Sequence, residues 1–437
     1  MKELTNKTKA ILLSDTVRGT LIVSIGTFAG SLFSYILQVA LGRSLTIGDF
    51  GTFSTLLSLS IIFTLPGSAI STALVKSVSH YMAKDNYAVI TRLFYQATLC
   101  SFVMGSLLAL GFIVFIKPAM AYLNIKDSGL IYLYALYIAF SFLYIPISSF
   151  LQGLLKFKAL SVFNVTSQML RLVMPMLLVF AGLRLPGVFL GMTLAILAGY
   201  IIGELLLHRD FLPKPDQTEN MLAVGKSIVL FSVPALISIL SLNLLNNIDV
   251  ILVKHFFSDH DTGVYSGALT MAKVLLFGAG SVQIVMFPQV ANAFAKGDNY
   301  ISKFLKFLAL QLVLLTCGLL VYLVFPSYIN QIMFMGKYTS SVPLLPLFAT
   351  FVALYVLANF FVLFFLALAK TKPAFFLIPW VALQVLLIYT FDHTLENVLK
   401  VNVLAAFMSL ATLVGYFVYL TAKYYRGQYK GPQAPAY

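Results

Sequence analysis

Charge is scarce in this chain, so the charged residues that interrupt its apolar runs are where chemistry is first sought. Only 10% of the 437 residues are Asp, Glu, Lys or Arg, while 60% are hydrophobic. Arg171 stands among Met169, Leu170, Leu172 and Val173. An arginine keeps its charge and offers a planar fork of donors that matches phosphate. Lys273, in a second apolar run, can add a point cation. Together they would draw an anion, and a phosphate or pyrophosphate group fits. The structural alternative is that Arg171 pairs with Glu204 or Asp249 and clamps helices together. Arg18 and Arg43 bracket the first apolar run, where each either lines a cavity or snorkels to an interface.

Asn243, Asn246, Asn247 and Asp249 form a polar run inside another apolar stretch. Asn243, Asn246 and Asp249 are three apart, so a helix puts them on one face. That face can bond a neighbouring helix, hold a sugar, or hold a cation. Asp249, and Glu204 near the end of its own run, are the candidates for coupling to Na+ or H+. No Gly-rich loop ends in Gly-Lys-Ser/Thr, no His/Cys cluster has metal-ligand spacing, and no Gly-x-Ser-x-Gly elbow occurs. Neither cofactor nor resident metal is expected, and the energy for any work would come from an ion gradient, the membrane potential or the substrate's own gradient. Cys100 and Cys317 both fall in apolar runs, which argues against a structural disulfide.

The elements that hold these residues are membrane helices. Charge is missing from Leu93 to Ile116, from Gly129 to Leu155, from Phe307 to Gly336 and from Ala374 to Phe391. Runs of that length span a bilayer. Spans are expected at 17–41, 50–75, 93–116, 129–152, 162–182 and 186–207, then at 227–252, 264–290, 305–325, 341–368, 374–390 and 397–421. Met1–Thr16 is expected to be a polar lead-in, and Gln428–Tyr437 a tail without structure. With these twelve spans, twenty of the 29 Lys and Arg fall on the side of the N-terminus and six on the other. The positive-inside rule makes the richer side cytoplasmic, with both termini there. The net charge of +14 is then a matter of topology and calls for no nucleic acid. Prolines 66, 146, 175, 234, 288, 343 and 346 fall inside spans and are expected to kink them.

The two halves repeat each other. Asp49-Phe50-Gly51-Thr52-Phe53-Ser54 returns as Asp261-Thr262-Gly263-Val264-Tyr265-Ser266, at an offset of 212. Asp85-Asn86-Tyr87 returns as Asp298-Asn299-Tyr300, at an offset of 213. With six spans between copies the repeat is parallel. The expectation is an all-α polytopic membrane protein: a six-helix bundle over 1–207, a cytoplasmic linker over 208–226, and a second bundle with a short tail over 227–437, around a central cavity.

Leu41-Gly42-Arg43-Ser44-Leu45 with Gly48-Asp49-Phe50-Gly51, and Asn247-Ile248-Asp249 with Gly263-Val264-Tyr265-Ser266, resemble the paired signatures of polysaccharide-biosynthesis flippases of the multidrug/oligosaccharidyl-lipid/polysaccharide exporter superfamily. The resemblance implies two pseudo-symmetric bundles about a V-shaped cavity in the plasma membrane. It implies flipping of an undecaprenyl-pyrophosphate-linked oligosaccharide, with membrane lipids around the protein and a polysaccharide polymerase or glycosyltransferase nearby. Arg171 and Lys273 are then counterparts of the family's cavity cations. The competing readings are a cation-coupled antiporter of small molecules and a membrane glycan ligase or polymerase. The short external segments count against an enzyme.

Overall fold

The computed structural model describes residues 15–207, 240–368, 370 and 372–425. The expected linker, most of the lead-in, the tail, Pro234 and the expected span as far as 239 lie outside them. The described residues are helical throughout, without a strand. In chain order the first helices are α1 (Asp15–Ser44), α2 (Ile47–Met82), α3 (Tyr87–Val114), α4 (Ile116–Tyr122), α5 (Ser128–Ser141), α6 (Tyr144–Gly153), α7 (Phe157–Leu178) and α8 (Arg184–Leu207). A helix over 240–256, α9, follows. Then come α10 (Asp259–Ala272), α11 (Val274–Ala295), α12 (Tyr300–Val324), α13 (Pro326–Phe334), α14 (Leu345–Ala367), α15 (Ile378–Thr390) and α16 (Leu395–Tyr425).

Among the described residues, nine helical stretches are long and apolar enough to cross a membrane, and Phe375–Thr390 is a shorter apolar one. The stretch Phe157–Leu207 is itself a hairpin. Gly182 (φ 91°) and Arg184 (φ 44°) turn the chain between α7 and α8. A Cβ on Gly191 would lie 2.5 Å from Pro175 Cα, and one on Gly203 would lie 3.0 Å from Phe163. Those pairings run antiparallel, and glycine is what lets the backbones approach. Large apolar side chains such as Leu107, Val114, Phe180, Leu205 and Val324 are exposed, as lipid solvent allows.

The repeated motifs are helix starts. Thr46 Oγ1 accepts the N–H of Asp49 at 3.1 Å, and Ser258 Oγ accepts that of Asp261 at 3.1 Å. Asn86 caps α3 through Val89 N–H, and Asn299 caps α12 through Ser302 N–H. Each cap satisfies a donor that the first helical turn leaves open.

Prolines do three different things. Pro146 has no N–H to give to Phe142, whose carbonyl instead takes Ile145 N–H at 3.1 Å; the span expected over 129–152 breaks there into α5 and α6. Pro66, Pro175 and Pro288 lie inside helices that continue past them. Pro343 and Pro346, expected as kinks, instead stand inside the 3-10 turn Thr339–Leu344 and in the first turn of α14; in the second place a missing N–H costs nothing.

The chain forms two compact units. The first comprises Met1–Ser44 and Phe63–Leu236, the second Leu45–Ile62 and Ile237–Tyr437. The first is packed around Phe94, Phe150, Leu151 and Phe163. The second is packed around Phe304, Phe360, Phe364 and Phe417. The opening of α2 belongs to the second because of close local packing. A Cβ on Gly51 would lie 2.5 Å from Gly263 N, and one on Gly263 only 1.9 Å from the Ile47 carbonyl. Phe50 packs edge-on to Tyr338 at 6.0 Å, and Lys337 Nζ donates to the Leu45 carbonyl. Burial holds the Lys337 ammonium below the ordinary lysine range, against the opposing pull of Asp49.

Candidate functional site

In the first unit, Arg171 projects from α7 into a cavity of about 130 Å³. Ser141, Tyr144, Ser167, Gln168 and Tyr200 supply its polar lining. Three backbone features make the space. The α5/α6 break puts Ser141 and Tyr144 on one wall. Gly199 leaves room beside Ser167, where a Cβ would come within 3.2 Å of Oγ. On α1, Gly26-Thr27-Phe28-Ala29-Gly30 packs tightly on α7. A Cβ on Gly26 would overlap Ser161 Oγ at 2.1 Å, and one on Gly30 would meet Gln168 Cγ at 3.2 Å.

One amine of the Arg171 fork donates to the hydroxyl of Tyr137, and the guanidinium sits 5.7 Å from the centroid of that ring. Tyr137 is 2% exposed. Arg171 Nε is buried with no hydrogen-bond partner among the described residues. Tyr144 donates to Asn164 Oδ1 at 2.5 Å, and Ser34 donates to Gln168 Oε1 at 3.0 Å. Glu204 is half-buried, acts by its charge on Tyr200 and is not part of the lining. Among the described residues no carboxylate comes within ion-pair distance of Arg171. The arrangement is therefore a cation presented to a polar space.

In the second unit, Asp249 is fully buried on α9. Its Oδ2 accepts from the hydroxyl of Tyr265 on α10 and, at 2.8 Å, from Asn402 Nδ2 on α16. Asn402 Nδ2 also lies 2.7 Å from the Tyr265 oxygen. Gln384 on α15 completes the chain, donating to Asn402 Oδ1 at 2.8 Å and to the Leu245 carbonyl at 3.3 Å. Lys273 stands at the break between α10 and α11, and its charge acts on Asp249. Asp249 Oδ1, Asn246 Oδ1, Asn247 Oδ1 and Gln384 Oε1 are buried with no hydrogen-bond partner among the described residues. Each is an acceptor that a proton, a cation or water would satisfy where it stands.

The sequence candidates thus fall apart into groups. Arg171 is in the first-unit cavity. Asp249 and Lys273 belong to the second-unit cluster. Asn247 Nδ2 bonds the Asn243 carbonyl at 2.9 Å, one turn back on α9. Arg43 is exposed in the last turn of α1, and the side chain of Arg18 lies outside the described residues. Sequence reading passed over Tyr137, Gln168, Gln384 and Asn402. Neutral polar residues inside charge-free spans were the available signal.

The model of the family described as "Polysaccharide biosynthesis protein" matches residues 16–294. The chain belongs to that family. This family member resembles an inward-facing multidrug resistance MATE family transporter of the MOP superfamily, at 11% identity and a TM-score of 0.70, over 89% of this chain and 94% of that one. It resembles the lipid II flippase MurJ in an inward closed conformation at 13% identity and a TM-score of 0.70, over 91% and 87%. A eukaryotic MATE transporter matches at 14% identity and 0.63, over 94% and 96%. At such identities the likeness carries the fold alone. A comparison with curated proteins finds no match. The family member is a multi-pass membrane protein with the MOP-superfamily fold.

Proposed function

We propose that this chain is a flippase carrying a polyprenyl-pyrophosphate-linked oligosaccharide from the cytoplasmic to the outer leaflet of the plasma membrane, for cell-surface polysaccharide synthesis. The observation that carries the reading is Arg171, a guanidinium at a cavity wall whose Nε lacks a partner among the described residues. It would hold the pyrophosphate. A glycan stripped of water loses several kcal/mol for each unpaired polar group, so it needs a polar path. The prenyl chain can stay in lipid, and no bond is made or broken. Family membership supports the polysaccharide part of the reading. In this account the chain crosses twelve times with both termini in the cytoplasm. A glycosyltransferase supplies its substrate and a polymerase consumes it.

The Asp249 cluster is assigned to coupling by Na+ or H+, on the strength of its unpartnered oxygens. The same buried carboxylate favours a second reading, a cation-coupled antiporter of small molecules. Flipping of a labelled polyprenyl-pyrophosphate oligosaccharide in proteoliposomes separates the two. Translocation supports the flippase. Its failure across several glycans, with gradient-driven export of organic cations, establishes the antiporter instead.

A further inference from the structure

The first-unit cavity has a directional wall. Ser167, Gln168 and Arg171 come from consecutive turns of α7 and line one side of it. Ser34 uses the Gln168 oxygen, at 3.0 Å, which turns the amide nitrogen outward as a donor. Arg171 spends one amine on Tyr137 and keeps Nε unpartnered among the described residues. Ser167 Oγ is likewise buried without a partner among them. The Ser141 proton goes to the Ile138 carbonyl at 2.8 Å and the Tyr144 proton to Asn164, itself on α7, at 2.5 Å. With those protons spent, the α7 donors in the lining left for an anion are those of Ser167, Gln168 and Arg171.

Size adds a second constraint. An apolar cavity of about 150 Å³ takes one benzene ring. The space here, about 130 Å³, suits a phosphate group and is short of a pyranose with its hydroxyls. We infer that this cavity is a phosphate subsite in which Gln168, oriented by Ser34, is the second anion ligand beside Arg171, and that it reads the oxyanion without reading the glycan. This rests on the flippase reading only for the source of the phosphate. Free inorganic pyrophosphate carries the same chemistry.

The test is calorimetric titration of the full chain in lipid nanodiscs with three probes: polyprenyl pyrophosphate without a glycan, the same lipid bearing an oligosaccharide, and inorganic pyrophosphate. The two lipids should bind within about threefold of each other. Arg171→Ala and Gln168→Glu should each weaken both by about tenfold to a hundredfold, the range for loss of a charge-assisted hydrogen bond. Gln168→Glu keeps an oxygen for Ser34 and nearly the same volume, so thermal stability should hold while anion affinity falls. A glycan-bearing lipid preferred by thirtyfold or more would overturn the inference, as would a Gln168→Glu chain that binds normally. Arg171-dependent binding of inorganic pyrophosphate alone, with neither lipid, would uphold the subsite and remove the flippase reading. Transport in proteoliposomes without Arg171-dependent binding would do the reverse.

Discussion

The two halves of the chain carry the same repeat, and the charges set into their apolar runs differ. Arg171 on α7 precedes Gln384 on α15 by 213 residues, the offset of the Asp-Asn-Tyr repeat. Asp249 and Tyr265 follow Leu37 and Phe53 by 212. Where the second unit has a carboxylate and the hydroxyl that binds it, the first copy has neither. Where the first unit has a guanidinium, the second has a neutral amide. The acid of the second unit is closed in by Tyr265, Asn402 and Gln384. The cation of the first unit stands at the wall of a cavity of about 130 Å³. On the proposed reading, a duplicated scaffold holds one site for an anion and one for a cation. A buried group wrapped by protein matters to folding, whereas a group facing a cavity matters to its ligand.

Breaking the wrapped site should have the largest effect on stability. Asn402→Leu removes a donor from a buried carboxylate and should cost about 2–3 kcal/mol, read by thermal unfolding in detergent. Combining it with Asp249→Asn should recover much of that loss, because no charge is then left without a partner; a double-mutant cycle measures the coupling. The open site should behave otherwise. Arg171→Ala gives up one charge-assisted hydrogen bond to Tyr137, worth about 1.5 kcal/mol of stability, yet should lower affinity for a pyrophosphate lipid by about tenfold or more. If Arg171→Ala destabilises as much as Asn402→Leu, the distinction between the units fails.

The smallest effect tests the scaffold under the open site. Gly30→Ala places a Cβ 3.2 Å from Gln168 Cγ, so the side chain must yield by a few tenths of an ångström. Stability should fall by under about 1 kcal/mol, with affinity for the anion down a few-fold. An unchanged affinity would mean that the position of Gln168 is immaterial.

Helices, the repeat and the charges in spans were legible in the sequence because lipid makes them costly to hide. Gly51 and Gly263 were visible as a repeated pair, but not that they touch. That contact depends on two segments far apart in the chain, and no local pattern encodes it. Asp249 could be picked out by its charge. Its partners Asn402 and Gln384 could not, since a lone amide in an apolar span has the same local signature whether it caps a site or bonds a neighbour. Arg171 was legible as a cation, while the fork's commitment to Tyr137 was not. The α5/α6 break was foreshadowed by Pro146, yet Pro66, Pro175 and Pro288 bear the same local signature inside continuous helices.

On this reading the two charges divide the labour, and flipping in proteoliposomes separates their roles. Wild type, Arg171→Ala and Asp249→Asn would be compared with a labelled polyprenyl-pyrophosphate oligosaccharide, with and without an imposed sodium or proton gradient. Arg171→Ala should lose most flipping under both conditions. Asp249→Asn should keep the rate seen without a gradient and lose the acceleration that a gradient gives to wild type. An Asp249→Asn protein that still responds fully to both gradients, or an Arg171→Ala protein that flips normally, would contradict the account.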